Sequence, residues 1–180
     1  MRILKRIIFL IISLVIIALI VALFVKKDYA VEREITINKP KQVVFDYVKM
    51  LKNQDSYAVW AAKDPNIKRT YTGTDGTPGF IAAWESQNKE VGTGEQEILK
   101  VTEGERIDSR LRFKKPFKSE SDAYLVTEAV GDNQTKVKWG FKGTYSYPWN
   151  LMGLMMNMDE KVGGDFATGL GNLKTILEKQ

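Results

Sequence analysis

The chain has 180 residues, 44% of them hydrophobic, with 27 Lys and Arg against 22 Asp and Glu for a net charge of +5. It contains no histidine and no cysteine, which excludes Ser-His-Asp and Cys-His catalysis, thiolate nucleophiles, disulfides and the common zinc ligand sets. Five of the bases (Arg2, Lys5, Arg6, Lys26, Lys27) and one acid (Asp28) lie in the first 28 residues, so residues 29–180 carry 22 bases against 21 acids and offer no general cationic surface for nucleic acid.

Ile7 to Val25 reads IIFLIISLVIIALIVALFV, with no charge, Pro or Gly and a single hydroxyl at Ser13. At ~1.5 Å per residue the run spans roughly 28 Å, close to the hydrocarbon thickness of a bilayer. Signal-peptide apolar regions are shorter and end at a small-x-small site, whereas this one ends Phe24-Val25-Lys26-Lys27. Residues 1–28 therefore read as an N-terminal tail and an uncleaved single-pass anchor. Arg2, Lys5 and Arg6 favour a cytoplasmic N-terminus, and Lys26 and Lys27 oppose it. A short tail before the span and a long domain after it fit an N-in orientation, with the domain on the extracytoplasmic side.

Residues 29–180 read as one domain. Tyr29 to Ile37 alternates, with Val31, Ile35 and Ile37 on one parity and Glu32, Glu34 and Thr36 on the other, the pattern of a half-buried strand. Asn38-Lys39-Pro40 opens a helix, capped at Asn38 or Lys39 with Pro40 in the first turn, whose apolar positions are Val43, Val44, Tyr47, Val48 and Leu51. A short helix follows around Tyr57 to Trp60, and Asp64-Pro65 ends it. Six strands separated by turn clusters occupy Ile67 to Gly143. The GTDGTPG run from Gly73 to Gly79 is a turn and not a phosphate cradle, since no Walker lysine follows it. Asp75 and Asp132 belong to turns, and Lys114-Lys115-Pro116-Phe117-Lys118 is a solvated loop. A long helix from about Leu151 to Glu178 carries the stripe Leu151, Met155, Met158, Val162, Phe166, Leu170, Leu173 and Leu177.

Two of the hairpins can be tested for the separation of apolar from polar faces that a specified register requires. For the earlier hairpin, a tip at Gly76-Thr77 puts Tyr71, Phe80, Ala82 and Trp84 on one face, which Arg69 shares. A tip at Glu103-Gly104 pairs Glu97 with Arg110 and Glu95 with Arg112 on the solvent face, each pair contributing a few tenths to ~1 kcal/mol. Ile98, Ile107, Leu111 and Phe113 then lie on the other face. A tip at Asp132-Asn133 pairs Val126 with Trp139, Tyr124 with Phe141 and Glu128 with Val137; one face then carries Tyr124, Val126, Val137, Trp139 and Phe141, with Glu128 beside them, and the other carries Thr127, Lys136 and Lys138, a clean separation.

The order is strand, helix, short helix, six strands, long helix. With Ile35-Thr36-Ile37-Asn38-Lys39-Pro40 leading into Val43-Val44-Phe45-Asp46-Tyr47-Val48, Gly92-x-Gly94-x-Gln96, Thr135-x-Val137-x-Trp139 and Gly169-Leu170-x-Asn172-Leu173-Lys174, residues 29–180 resemble the polyketide cyclase/dehydrase-like proteins of the START and Bet v 1-like (SRPBCC) superfamily. The resemblance implies an α+β helix-grip fold, β-α-α-β6-α, in which a curved antiparallel sheet wraps a long C-terminal helix. It implies a hollow between sheet and helix that receives an apolar ligand. It carries over no catalytic residue, because the superfamily hosts carriers, cyclases, hydrolases and co-chaperones on one scaffold.

The candidate ligand residues are Trp60, Arg69, Tyr71, Phe80, Trp84, Tyr124, Glu128, Trp139, Phe141, Met155, Met158 and Phe166. Ordinary core packing is the alternative role for the aromatics. Gly163, Gly164, Gly169 and Gly171 either thin the covering helix at a ligand, loosen it as a lid, or allow close packing on the sheet. Arg69 is positioned to stack on Trp84. A Glu128 carboxyl buried among aromatics would have a raised pKa. No motif calls for a cofactor or a metal. The leading expectation is a membrane-anchored binding module for a lipid, quinone or polyketide-like molecule. The alternatives are a cyclase, dehydratase or hydrolase using Glu128, Arg69, Tyr71 or Tyr124, and an interaction domain with a filled core and an exposed Tyr145-Ser146-Tyr147-Pro148-Trp149 patch.

Overall fold

The computed structural model describes residues 2–155 and 157–179. They fall into two compact units, Met1–Tyr29 with Thr144–Met158, and Ala30–Gly143 with Asp159–Gln180.

The first unit holds helix α1 (Arg2–Phe24), long and apolar enough to cross a membrane. Its apolar side chains are exposed all round, from Ile3 to Phe24, and only Ala22 is buried. A helix with no polar face has nothing to present to water, which is the condition of a span in lipid. The same unit contains a 3-10 turn, Trp149–Leu151, and the short helix α5, Met152–Met155.

The second unit is built on a seven-stranded antiparallel sheet ordered β1-β7-β6-β5-β4-β3-β2. The strands are β1 (Asp28–Ile37), β2 (Lys68–Thr72), β3 (Ile81–Glu85), β4 (Thr93–Thr102), β5 (Arg106–Lys115), β6 (Ser119–Gly131) and β7 (Gln134–Thr144). Between β1 and β2 lie α2 (Lys41–Val48), a 3-10 turn (Leu51–Asn53), α3 (Gln54–Tyr57) and α4 (Val59–Lys63). Pro40 occupies the N-cap of α2, one position before the expected first-turn site, and no side chain caps the helix. Val44, Phe45, Val48 and Leu51 are buried from this region, while Val43 is exposed. The Asp75 carboxylate accepts from the backbone N–H groups of Leu51 (2.8 Å) and Lys52 (3.2 Å), so this turn aspartate caps the 3-10 turn.

The chain closes with α6 (Met158–Lys179), which buries Gly163, Phe166, Gly169, Leu170, Leu173 and Leu177. The expected single helix from Leu151 is therefore corrected: α5 and α6 are separate, and the apolar stripe that packs on the sheet begins only after Met158.

Two of the three hairpin registers are as expected. Arg69 faces Trp84 and Tyr71 faces Ala82. Glu95 faces Arg112 and Glu97 faces Arg110, up to an irregularity between Ile98 and Lys100. The third is corrected by one residue. An irregularity between Ala129 and Gly131 sets Leu125 opposite Trp139, Thr127 opposite Val137 and Tyr124 opposite Gly140. Because side chains alternate with period two, this single extra residue moves every β6 side chain to the other face. Ala123, Leu125 and Thr127 join Val137, Trp139 and Phe141 on the buried inner face. Tyr124, Val126 and Glu128 go to the outer face.

That outer face is laced with ion pairs, among them Arg112–Glu97 (2.7 Å), Lys114–Glu95 (2.6 Å), Arg110–Asp122 (3.1 Å), Lys138–Glu128 (2.7 Å) and Lys136–Glu34 (3.2 Å). Arg110 thus bonds across to β6 rather than to Glu97. These half-exposed pairs contribute little each and mainly keep the face wet.

Candidate ligand site on the inner face of the sheet

The inner face is apolar because one parity of each central strand is apolar, and α6 lies over its β7 side. Trp139 is the centre of this packing. Its ring stacks on Phe166 at a centroid distance of 4.5 Å and an interplanar angle of 12°. Trp60 and Tyr57 meet it edge-on at 5.9 and 5.6 Å. Trp60 also meets Phe166 at 6.0 Å. Such pairs add ~0.5–1.5 kcal/mol each beyond burial. Gly169 permits the approach of α6, since a Cβ there would lie 2.8 Å from the Trp139 ring.

Gly163 plays the same part further up the helix, where the Arg33 guanidinium takes the place of a side chain. Arg33 donates to both Asp159 carboxylate oxygens, at 2.8 and 2.9 Å, and to the Asp159 carbonyl at 2.9 Å. Gly164 and Gly171 meet nothing within 4 Å. Of the three roles considered for the four glycines, close packing describes Gly163 and Gly169.

A second aromatic group lies on the β2–β5 side of the same face. Trp84 meets Phe113 edge-on at 5.8 Å and donates through Nε1 to the Val91 carbonyl at 3.3 Å. Gly94 gives it room, since a Cβ there would lie 2.7 Å from the indole. Tyr71 stacks on the buried Phe80 at 6.0 Å. Arg69 does not stack on Trp84; its Nε pairs with the Asp55 carboxylate at 2.5 Å, and the Tyr71 hydroxyl donates to the same carboxylate at 3.1 Å. Partial burial raises the Asp55 pKa, against the opposing pull of Arg69 and Tyr71.

Between these groups is a cavity of about 10 Å³, lined by Leu51, Gln54, Gln96, Ile107, Ser109 and Trp139 among others. That is room for about one water. Gln96 Nε2 donates to Ser109 Oγ at 2.9 Å, so the lining has polar groups as well as apolar ones. Tyr57 packs edge-on against Trp139 of that lining, its hydroxyl is buried with no well-formed hydrogen bond although the Gln54 side chain is near, and burial drives its pKa far up. None of Tyr57, Gln54, Gln96 and Ser109 stood out in the sequence as a site residue. The available signal was Ser109, a small polar residue on the apolar parity between Ile107 and Leu111.

The expected constellation divides. Trp60, Arg69, Tyr71, Phe80, Trp84, Trp139, Phe141 and Phe166 belong to the inner face and the elements packed on it. Tyr124 and Glu128 stand on the outer face, for the register reason given above. Glu128 is held below its ordinary pKa by its hydrogen bond to Lys138, the reverse of the expected rise. Met155 lies in the other unit and is 90% exposed, and Met158 begins α6 half-buried. Arg69 and Tyr71 are therefore separated by the sheet from Tyr124 and Glu128, and the four cannot act on one substrate.

Tyr124 has a structural role. Its ring lies across Gly140, its hydroxyl donates to Glu32 at 2.6 Å, and the Arg106 guanidinium stacks on it at 4.4 Å. Burial and the Glu32 bond push its pKa up to about 12. A native pKa above the unfolded value of ~10 means that the folded state keeps a proton the unfolded chain loses. The stability this contributes is present below pH ~10 and is lost as pH rises towards about 12. Ultraviolet titration should show one tyrosinate appearing near that pH in the wild type and missing in Tyr124→Phe. A Tyr124→Phe titration curve identical to the wild type would refute the assignment.

Among the described residues no group of three or more Asp and Glu is placed to hold a metal ion. The sequence profile of a family described as polyketide cyclase/dehydrase and lipid transport matches residues 29–178. Similar solved structures include norcoclaurine synthase from Thalictrum flavum in complex with dopamine and hydroxybenzaldehyde, at 8% identity and a TM-score of 0.65, covering 89% of this chain and 92% of that one. A structural-genomics protein from Nitrosospira multiformis matches at 17% identity and a TM-score of 0.58, covering 82% and 94%. The Aha1 dimer protein from Colwellia psychrerythraea matches at 12% and 0.56, covering 83% and 96%. At these identities the likeness is one of fold. A search of curated proteins finds no match.

Proposed function

The chain belongs to the polyketide cyclase/dehydrase and lipid transport family, and we propose that it is a membrane-anchored binding module for an apolar small molecule with a polar end. A lipid, a quinone or a polyketide-like compound fits that description. The ligand would enter between the inner face of the sheet and α6. The observation that carries this reading is the Tyr57 hydroxyl, buried without a well-formed hydrogen bond on a ring that packs against Trp139, which with Gln54, Gln96 and Ser109 lines the cavity. A buried polar group without a hydrogen bond is costly, and a bound polar atom would remove the cost. The surrounding aromatics suit an apolar body, and α1 suits residence at a membrane where such molecules partition. This cavity holds about 10 Å³ of free space, so a ligand larger than a water would displace side chains that line it, Trp139 among them.

The same small volume favours one other reading, an interaction domain whose core is filled. Native mass spectrometry of the full chain, gently extracted from its own membrane, with organic extraction of anything bound, separates the two. A stoichiometric apolar ligand is the expected result. A clean ligand-free mass, unchanged by added membrane lipids, would sink the binding reading.

Tyr57→Phe gives an independent check with an unusual sign. An unsatisfied buried hydroxyl costs about 1–3 kcal/mol, so its removal is expected to stabilise the ligand-free protein and raise its urea midpoint. The same change should weaken the hold on a ligand that bonds the hydroxyl. A lowered midpoint without ligand would mean the hydroxyl has a partner already.

A further inference from the structure

Residues Thr144 to Met158, TYSYPWNLMGLMMNM, carry no charged side chain in a chain of which 27% is charged. They pack in one unit with α1. The contacts are specific. Asn150 is fully buried and its Nδ2 donates to the carbonyls of Ala22 (2.7 Å) and Val25 (2.9 Å). The Tyr147 hydroxyl donates to the Leu19 carbonyl at 3.2 Å. The Tyr145 backbone N–H donates to the Lys27 carbonyl at 2.9 Å, and its ring meets Tyr29 at 4.7 Å. The last carbonyls of a helix have no partner within it, and here Asn150 supplies a donor to one of them, Ala22, and to Val25 just beyond the helix. The apolar side chains beside these donors turn outward, with Trp149 and Leu154 each 66% exposed, Met155 90% and Met152 39%.

We propose that residues 147–155 form a lipid-facing collar around the C-terminal end of α1, with Trp149 at the headgroup level and Met152, Leu154 and Met155 entering the acyl boundary of the same leaflet. The inference rests on α1 spanning a bilayer. If it does, depth follows from the hydrogen bonds. Leu19 lies six residues inside Val25, or about 9 Å along the helix, so the segment bonded to both ends of that interval occupies the same slab. Backbone carbonyls at that depth must be satisfied by protein, because lipid tails donate nothing; Asn150 does this for Ala22 and Val25, and Tyr147 adds a second donor to the Leu19 carbonyl of the helical ladder. Trp and Tyr favour the interface with an apolar body and a polar edge. The missing charge is what an acyl boundary demands and what a water-facing loop does not.

The absence of native cysteine makes the test direct. Met155→Cys of the full chain, labelled with a nitrobenzoxadiazole probe, is reconstituted in phosphatidylcholine vesicles. The expected result is blue-shifted emission, quenched severalfold more by lipids with shallow acyl nitroxides than by aqueous iodide. Trp149→Phe in the same vesicles should remove the tryptophan component quenched by shallow brominated lipid. If the chain floats with the vesicles after alkaline extraction but the probe emits as in water, the collar fails and the anchor stands. If the chain does not float, both fail. Apolar emission seen only in native membranes, and not in pure lipid, overturns the collar in favour of a protein partner.

Discussion

Gly92→Ala is expected to lower the urea midpoint of the full chain sharply, with a loss of about 3 kcal/mol or more, the level at which backbone strain and overpacking add. Gly92 has φ +66°, and the left-handed region costs an L-residue about 1–2 kcal/mol. Its missing Cβ would also lie 2.2 Å from the Lys115 carbonyl oxygen, a backbone atom that no rotamer change can move aside. The turn itself is pinned, with the Gly92 N–H donating to the Asn88 carbonyl at 2.8 Å and the Ser86 N–H to the Gly92 carbonyl at 3.0 Å. Gly79→Ala is the control. Its φ of +87° is as strained, but nothing lies within 4 Å of its absent Cβ. The excess loss in Gly92→Ala over Gly79→Ala measures the overlap, and equal losses would show that the overlap relaxes away. The consequence for the site is direct, because this turn leads into Gly94 and holds the Val91 carbonyl on which Trp84 Nε1 rests.

The β2–β3 and β4–β5 registers are legible from residues because a glycine at each turn fixes the count and the large apolar side chains keep mainly to one face, with Arg69, Gln96 and Ser109 as exceptions. The β6–β7 register is not. In YLVTEAV apolar residues occupy both parities, so Tyr124 and Val126 offer as good an apolar face as Ala123 and Leu125. The irregularity at Ala129–Gly131 decides between them, and no residue there announces it. Tyr124 tolerates the outer face because Arg106, Glu32 and the bare Gly140 give its ring and hydroxyl partners. The break between α5 and α6 is hidden for a related reason. Leu151 and Met155 continue the helical period into Met158, yet they belong with a segment whose Asn150 and Tyr147 bond to α1, a contact across more than a hundred residues. The anchor helix and the element order needed no such long-range knowledge. The extent to which the hollow is filled did, since it depends on how the Trp139 and Phe166 rings are set against each other.

Trp139→Ala is expected to cost about 3–5 kcal/mol, the usual loss for truncating a buried large aromatic. Trp139 is 4% exposed and is the one ring that Phe166, Trp60 and Tyr57 all meet. Its removal leaves a void bordered by those three rings and by the bare backbone of Gly169, one turn along α6 from Phe166, and a glycine has no side chain with which to fill it. The void therefore either persists or is closed by α6 sinking onto the sheet. An apolar cavity that persists stays dry and takes up small aromatic molecules. Indole added to the Trp139→Ala protein should then raise its thermal midpoint in proportion to ln(1 + [L]/Kd), and leave the wild type unmoved. That outcome would show that the inner face can hold an apolar guest beneath α6 without losing the fold, which the proposed binding function requires. A variant as destabilised as expected but indifferent to indole would mean that α6 closes on the gap. In that case the tight Gly169 contact exists to keep the core filled, and the weight moves to the interaction reading.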